Sequence, residues 1–254
     1  MSGGVVARLR AALAARADLG EALAPGWGAL VPAELARRPV RLDGRTAAVG
    51  DLFDLSGEPA GRIRFEGDLR LADRLAAGLS EGEVTVDGSV GDDAGVGMSG
   101  GTVLIRGDAG ARAGAAALDA RRGMTGGELV IRGNAGPEAG ARMRRGLVAV
   151  GGRAGPGAGA TMIAGTVLIV GAAGPEAGLW SKRGSIVALG RISIPATYRY
   201  ACTYQPAYLR LVLTRLRTLY GLPIKPRHLS AFFRRYSGDL ADLGRGEILE
   251  WTAK

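Results

Sequence analysis

Short apolar runs recur through the middle of the chain. They begin at Ile63, Val84, Val103, Leu129, Val148, Val167 and Ile186. Successive starts lie 19 residues apart, except for a first interval of 21 and one of 26. The long interval carries a seven-residue insertion, "AALDARR", at 116–122. Runs this short and this close predict strands, not helices or βαβ units. Side chains alternate along a strand, so the first and third residues of each run point inward, as in Val84/Val86 and Leu129/Ile131. The second residues, Thr85, Leu104, Val130, Ala149, Leu168 and Val187, then face out, and most are apolar. The fourth position drifts from Asp87, Arg106 and Arg132 to Val170 and Leu189. A strip of that kind needs cover, from a terminal helix or from another subunit. Another subunit is expected to cover at least part of it.

Glycine keeps the same period. The fourth position after every start is glycine, from Gly67 to Gly190. Five repeats also place glycine at position seven (Gly91, Gly110, Gly136, Gly155, Gly174) and at position eleven (Gly95, Gly114, Gly140, Gly159, Gly178). Alanine precedes each glycine of the second set. Columns of glycine mark corners with positive φ or close approach of two backbones. Met98, Met143 and Met162 share position fourteen and are expected to plug the interior. The period predicts an all-β solenoid, a right-handed β-helix of about seven coils over 61–195. Residues 1–60 are expected to form a helical or irregular cap, with a helix at 5–24. Residues 196–254 are expected to form a second helix, at 206–220 behind Pro206, and a subunit-contact tail.

The chemistry of the chain narrows its function. There are 33 Lys and Arg against 24 Asp and Glu, a net charge of +9. Such a balance favours a polyanionic partner. Arg144/Arg145 and Lys182/Arg183 occupy equivalent positions before a closing glycine, and Arg121/Arg122 lie in the insertion. Stacked, these pairs form a stripe suited to carboxylates or phosphates. Nucleic acid is disfavoured, because from Val84 to the end of the repeats Trp180 is the single aromatic and base stacking needs more. There is one histidine, His228, outside the repeats, and one cysteine, Cys202. No triad, metal cluster or disulfide framework is legible. "GDAG" and "GNAG" lack the Lys-Ser/Thr of a phosphate-binding loop. No stretch of 18 apolar residues and no signal peptide is legible, so no membrane partner is expected. A single cysteine suits a reducing cytoplasm. A hexapeptide-repeat acyltransferase would show a period of 18 and a histidine within a repeat; neither is present.

The Gly-x-x-Gly-x-x-Ala-Gly repeats resemble the glycine-motif β-helix of two groups. One is the C-terminal domain of the glutamate synthase large subunit. The other is the C-type subunit of formylmethanofuran dehydrogenase and of the related formyltransferase/hydrolase complex. The flank "YRYACTYQPAYLRLVLTRLRTLYGLP" (198–223) and the tail "FRRYSGDLADLGRGEIL" (233–249) resemble the C-type subunit in particular. The resemblance implies a subunit without catalytic residues of its own. Its partners would be a hydrolase-like (A-type), a B-type and a formyltransferase (D-type) subunit. The complex would move a formyl group from tetrahydromethanopterin to a methanofuran-type cofactor and release formate, in formaldehyde oxidation. A molybdenum or tungsten dehydrogenase is the alternative host, and a glutamate synthase-type β-helix subunit is the other alternative. The glutamate tail of a methanofuran-type cofactor becomes the candidate ligand of Arg121, Arg122, Arg144, Arg145, Lys182 and Arg183.

Overall fold

The computed structural model describes residues 3–253. The strands in chain order are β1 (Val5–Leu9), β2 (Ala17–Asp18), β3 (Pro39–Leu42), β4 (Arg45–Ala48), β5 (Phe53–Gly57), β6 (Arg62–Glu66), β7 (Ala72–Asp73) and β8 (Glu83–Val86). Then follow β9 (Thr102–Ile105), β10 (Glu128–Ile131), β11 (Leu147–Val150), β12 (Thr166–Ile169) and β13 (Arg183–Ala188). The C-terminal strands are β14 (Arg199–Tyr204), β15 (Phe232–Gly238) and β16 (Arg245–Thr252). The α-helices are α1 (Pro32–Leu35), α2 (Val49–Leu52), α3 (Ala207–Tyr220) and α4 (Pro226–Leu229).

Twelve strands form one mixed sheet in the order β14-β15-β16-β13-β12-β11-β10-β9-β8-β6-β1-β5. A second sheet has the order β4-β3-β2-β7. This replaces the expected solenoid of seven coils between helical flanks. Each repeat supplies one short strand to the large sheet. The rest of the repeat makes turns and a single bridge per neighbour, as in Ala109↔Ala135↔Ala154↔Ala173. Positive-φ residues such as Gly140 and Arg142 break the chain there before another strand can form. Both edges of the sheet are antiparallel, through β1/β5 at one and β14/β15 at the other. The expected helix at 5–24 is absent: Val5 and Ala7 are buried strand residues of β1, paired in parallel with Ile63 and Phe65. Alternation of Val5, Ala7 and Leu9 outweighed the helical propensity of the alanines.

The parallel register follows the sequence alignment residue for residue. Leu129 faces Val103 and Val148, and Val167 faces Val148 and Ile186. Beneath these strands lies one continuous core. Met98, Met124, Met143 and Met162 have no exposed surface, nor do Ala113, Ala139 and Ala158. Met124 belongs to the same column, displaced in sequence by the insertion.

A second core lies on the opposite face. Val130, Ala149, Leu168 and Val187 are fully buried with Leu209, Leu213 and Leu216 of α3. Over β10–β13 the apolar strip is therefore covered by the chain's own helix, not by another subunit. Glu128 of β10 clasps the helix: the Tyr220 hydroxyl donates to its Oε2 at 2.8 Å and the Arg215 guanidinium pairs with Oε1.

The glycine columns at positions seven and eleven have different causes. At position eleven, Gly140, Gly159 and Gly178 have φ of +70, +65 and +74. At position seven the φ is ordinary, but a Cβ on Gly136, Gly155 or Gly174 would stand 2.7 Å from backbone of the preceding repeat. No rotamer change relieves a clash with backbone, so the strands must part. Gly97 is the contrast, with φ +68 and open space around it. Gly174→Ala should cost about 3 kcal/mol, the upper range for overpacking. Gly97→Ala should cost about 1–2 kcal/mol, for the left-handed backbone alone. Urea midpoints at constant m-value measure both, and equal losses would show that close approach does not constrain the stack.

Candidate functional site

The expected basic residues sit at the turns that lead into the parallel strands. The Arg144 and Arg145 amides both donate to the Met124 carbonyl, at 2.8 and 3.2 Å, and Lys182 donates to Met162 at 2.8 Å. Ile163 and Ala164 occupy the same place in the intervening repeat, donating to Met143. The two basic pairs are therefore in one column but two strand spacings apart, about 10 Å. Arg121 and Arg122 are exposed in the insertion. That loop touches Arg142, whose Nη1 donates to the Ala120 carbonyl at 3.4 Å, but no contact joins Arg121 or Arg122 to Arg144.

A further member comes from outside the repeats. β16 pairs in parallel with β13, so Arg245 stands beside Arg183 and Gly246 beside Gly184. Sequence spacing does not reveal this, because 62 residues separate the two. The local signal is the phrase Arg-Gly-x-apolar, present at 145–148, 183–186 and 245–248.

All these side chains are exposed. Lys182 has an acidic neighbour, Asp242, at 3.9 Å. Among the described residues Arg144, Arg145, Arg183 and Arg245 have none. Several guanidinium groups elsewhere are matched: Arg112 is held by Asp93 through two bonds of 2.7 and 2.6 Å, and Arg16 by Asp73. Like charges on neighbouring strands are destabilising, and here Arg183 and Arg245 are left side by side.

This edge is braced at the end of the repeats by a buried polar cluster. Down the column of position thirteen, each amide donates to the next repeat: Arg142 to Ala160, then Thr161 to Leu179. Trp180 has no further repeat to reach, and its amide donates instead to Oδ2 of the fully buried Asp239 at 2.7 Å. The other oxygen of Asp239 accepts from Ala241 at 2.9 Å. Beside it, Ser181 stands where earlier repeats carry methionine. Its hydroxyl meets that of Tyr198 at 2.6 Å, and Tyr198 donates to Gly178 at 2.8 Å. Burial raises the Tyr198 pKa above the ordinary tyrosine value, so the group stays protonated and keeps donating.

His228, a residue of α4, is buried against β16. Its Nδ1 accepts from the Lys225 amide at 3.3 Å and its ring meets Trp251 edge-on. Burial, with Arg227 and Lys225 adding to it, holds its pKa below the ordinary 6.5. Cys202 is exposed on the edge strand β14. Among the described residues no group of His, Cys, Asp and Glu converges as metal ligands, and no helix is long and apolar enough to cross a membrane. A shallow cavity of about 410 Å³ on the small sheet is lined by Asp18, Glu21, Arg41 and Arg74, with Asp18 and Arg74 paired at 3.2 Å.

Fold and site together define a glycine-repeat β protein that presents an unneutralised cationic edge. The sequence matches no model of a protein family and no curated protein. A search of solved structures finds a chain of the formyltransferase/hydrolase complex (FhcABCD) from Methylorubrum extorquens, determined in complex with methylofuran. The identity is 35%, the TM-score is 0.79, and the match covers 98% of this chain and all of the other. The chain belongs to the formyltransferase/hydrolase complex family.

Two outcomes follow for this end of the molecule. Asp239→Ala leaves the Trp180 and Ala241 amides without their acceptor; at about 1–3 kcal/mol for each stranded group, the loss should be about 3 kcal/mol by chemical denaturation, and smaller for Asp239→Asn. His228 binds protons more weakly folded than unfolded, so stability should fall as pH drops below about 6.5. In His228→Gln the fall between pH 7 and 5.5 should be shallower.

Proposed function

We propose that the chain is the C-type subunit of a formyltransferase/hydrolase complex, and that its role there is non-catalytic support. The full-length match at 35% identity carries this reading. In it, partner subunits transfer the formyl group from formyl-tetrahydromethanopterin to a methanofuran-type cofactor and release it as formate. This chain's own residues bind and orient. Arg144, Arg145, Lys182 and Arg183 fit the carboxylates of the cofactor's glutamate tail, with Arg121 and Arg122 as outlying contacts. Guanidinium groups pair with carboxylates through two parallel hydrogen bonds, and an extended acidic chain would relieve the repulsion along this edge.

Co-expression with the hydrolase-like, formyltransferase and remaining subunits should yield one assembly containing this chain. Formyl transfer or hydrolysis by the purified chain alone would overturn the support role. The cationic edge has its own test. Exposed ion pairs contribute about 0.2–1 kcal/mol each and weaken with salt. Reversing all four charges (Arg144→Glu, Arg145→Glu, Lys182→Glu, Arg183→Glu) should weaken binding of the polyglutamyl cofactor to the assembled complex at least about tenfold. Unchanged affinity in that titration removes the tail from this edge.

A further inference from the structure

The end of the repeat stack beside the cationic edge exposes a group of large apolar side chains. Trp180 is 52% exposed, Leu240 56% and Leu243 52%. They are brought together by the loop 239–244, which lies across the turn at 180–182. The Trp180 amide is bonded to Asp239, and Lys182 faces Asp242. Leu240 Cδ2 lies 3.3 Å from where a Cβ on Gly244 would stand, so the leucine folds back over its own loop.

The loop is held in place. The Asp239 carbonyl accepts from Asp242 at 3.2 Å and from Gly244 at 2.9 Å, and the Leu240 amide donates to Thr197 at 3.0 Å. Polar side chains at 240 and 243 would serve that backbone equally well. Two leucines and a tryptophan held outward on a rigid loop are the mark of a contact surface, and rigidity lowers the entropic cost of binding. Trp and Arg are the residues on which interface energy concentrates.

We propose that this surface docks a companion subunit of the complex, through an apolar centre on that subunit rimmed by carboxylates. The inference rests on the subunit reading above. Charge selects the occupant. Arg245, which takes no part in the cofactor-tail reading, borders the patch without an acidic neighbour and stands beside Arg183 on the adjacent strand, in a chain of net charge +9. A second copy would set these arginines against their own kind; an acidic rim neutralises them.

The test is co-expression with the three companion subunits, with assembly followed by light scattering after gel filtration. One variant carries Trp180→Asn, Leu240→Ser and Leu243→Ser; asparagine tolerates the φ of +61 at position 180. A second carries Arg245→Glu alone and leaves the apolar core untouched. Each should dissociate from the companions at a concentration at least about tenfold higher than the unmodified chain, with the melting temperature in isolation not lowered; Arg245→Glu, which sets an acid beside Arg183, should if anything raise it. The second variant should also lose the salt sensitivity of the unmodified assembly. If the unmodified chain assembles and both variants assemble equally well, the docking surface is overturned and the subunit reading stands. If assembly is lost instead in Leu211→Ser/Leu219→Ser, which alters the outer face of α3, docking is there and this inference is overturned. Failure of the unmodified chain to join the companions overturns both.

Discussion

Backbone approaching backbone without a side chain between is the constraint on which this molecule depends. Gly136, Gly155 and Gly174 stack so closely that an added methyl group would strike the preceding repeat. Those contacts hold the repeat shift at 19 residues against slippage, because a one-residue slip brings an alanine or a proline onto the same spot. The fixed shift sets the parallel register from β10 to β13. Register in turn decides which residues form columns. The buried methionines, the inner alanines and the exposed cations are all consequences of one spacing.

A stack of this kind has two ends, and each strand there would present unpaired amides and carbonyls. The protein solves the problem differently at each. At the first end β1 continues the parallel order and β5 closes it antiparallel. At the second, β16 returns from the C-terminus to lie beside β13, and β15 and β14 follow antiparallel. The column amide at Trp180 is answered by a carboxylate, and the methionine column ends in the Ser181–Tyr198 pair. A further methionine would need another repeat to surround it. A tyrosine that hydrogen-bonds within the stack and turns its ring against Gly238 covers the end without leaving a cavity.

Local signals were legible where the chain repeats itself. The strand starts, the inward residues and the helix behind Pro206 follow directly from pattern and spacing. The basic pairs could be placed in one column, though not the gap made by Ile163 and Ala164. Two kinds of information were not legible. One is how many strands a repeat makes: periodicity says that segments stack, but left-handed residues such as Arg142 and Thr161 decide that the rest of the repeat turns. That is why a solenoid was expected where a twelve-stranded mixed sheet stands. The other is pairing between distant segments. Nothing in the spacing places β16 beside β13 or β1 beside β6, and Val5–Leu9 is rich enough in helix formers nearby to mislead. Arg245 was missed for the same reason, despite sharing the Arg-Gly-x-apolar phrase with Arg183.

The placement of charge separates support from recognition. Near the first end, Arg62, Arg64 and Arg112 are each matched by an acid on a neighbouring repeat. Each of these ion pairs joins neighbouring repeats and belongs to the stacking itself. In the later repeats acids thin out: the column that begins with Asp68, Ser89 and Asp108 continues through Asn134, Arg153 and Ala172 to Arg191. Parallel stacking places like residues directly above one another, so a change of sign along a column cannot be averaged away by side-chain rearrangement. The repulsion has to be met by solvent, salt or an anionic partner. A stack that neutralises its first repeats internally and leaves its last ones positive is therefore polar along its length, and part of its free charge, Arg183 with Arg245, lies at the end that carries the exposed Trp180, Leu240 and Leu243. The same register that holds the strands together thus fixes where on the molecule an acidic surface or chain can be received.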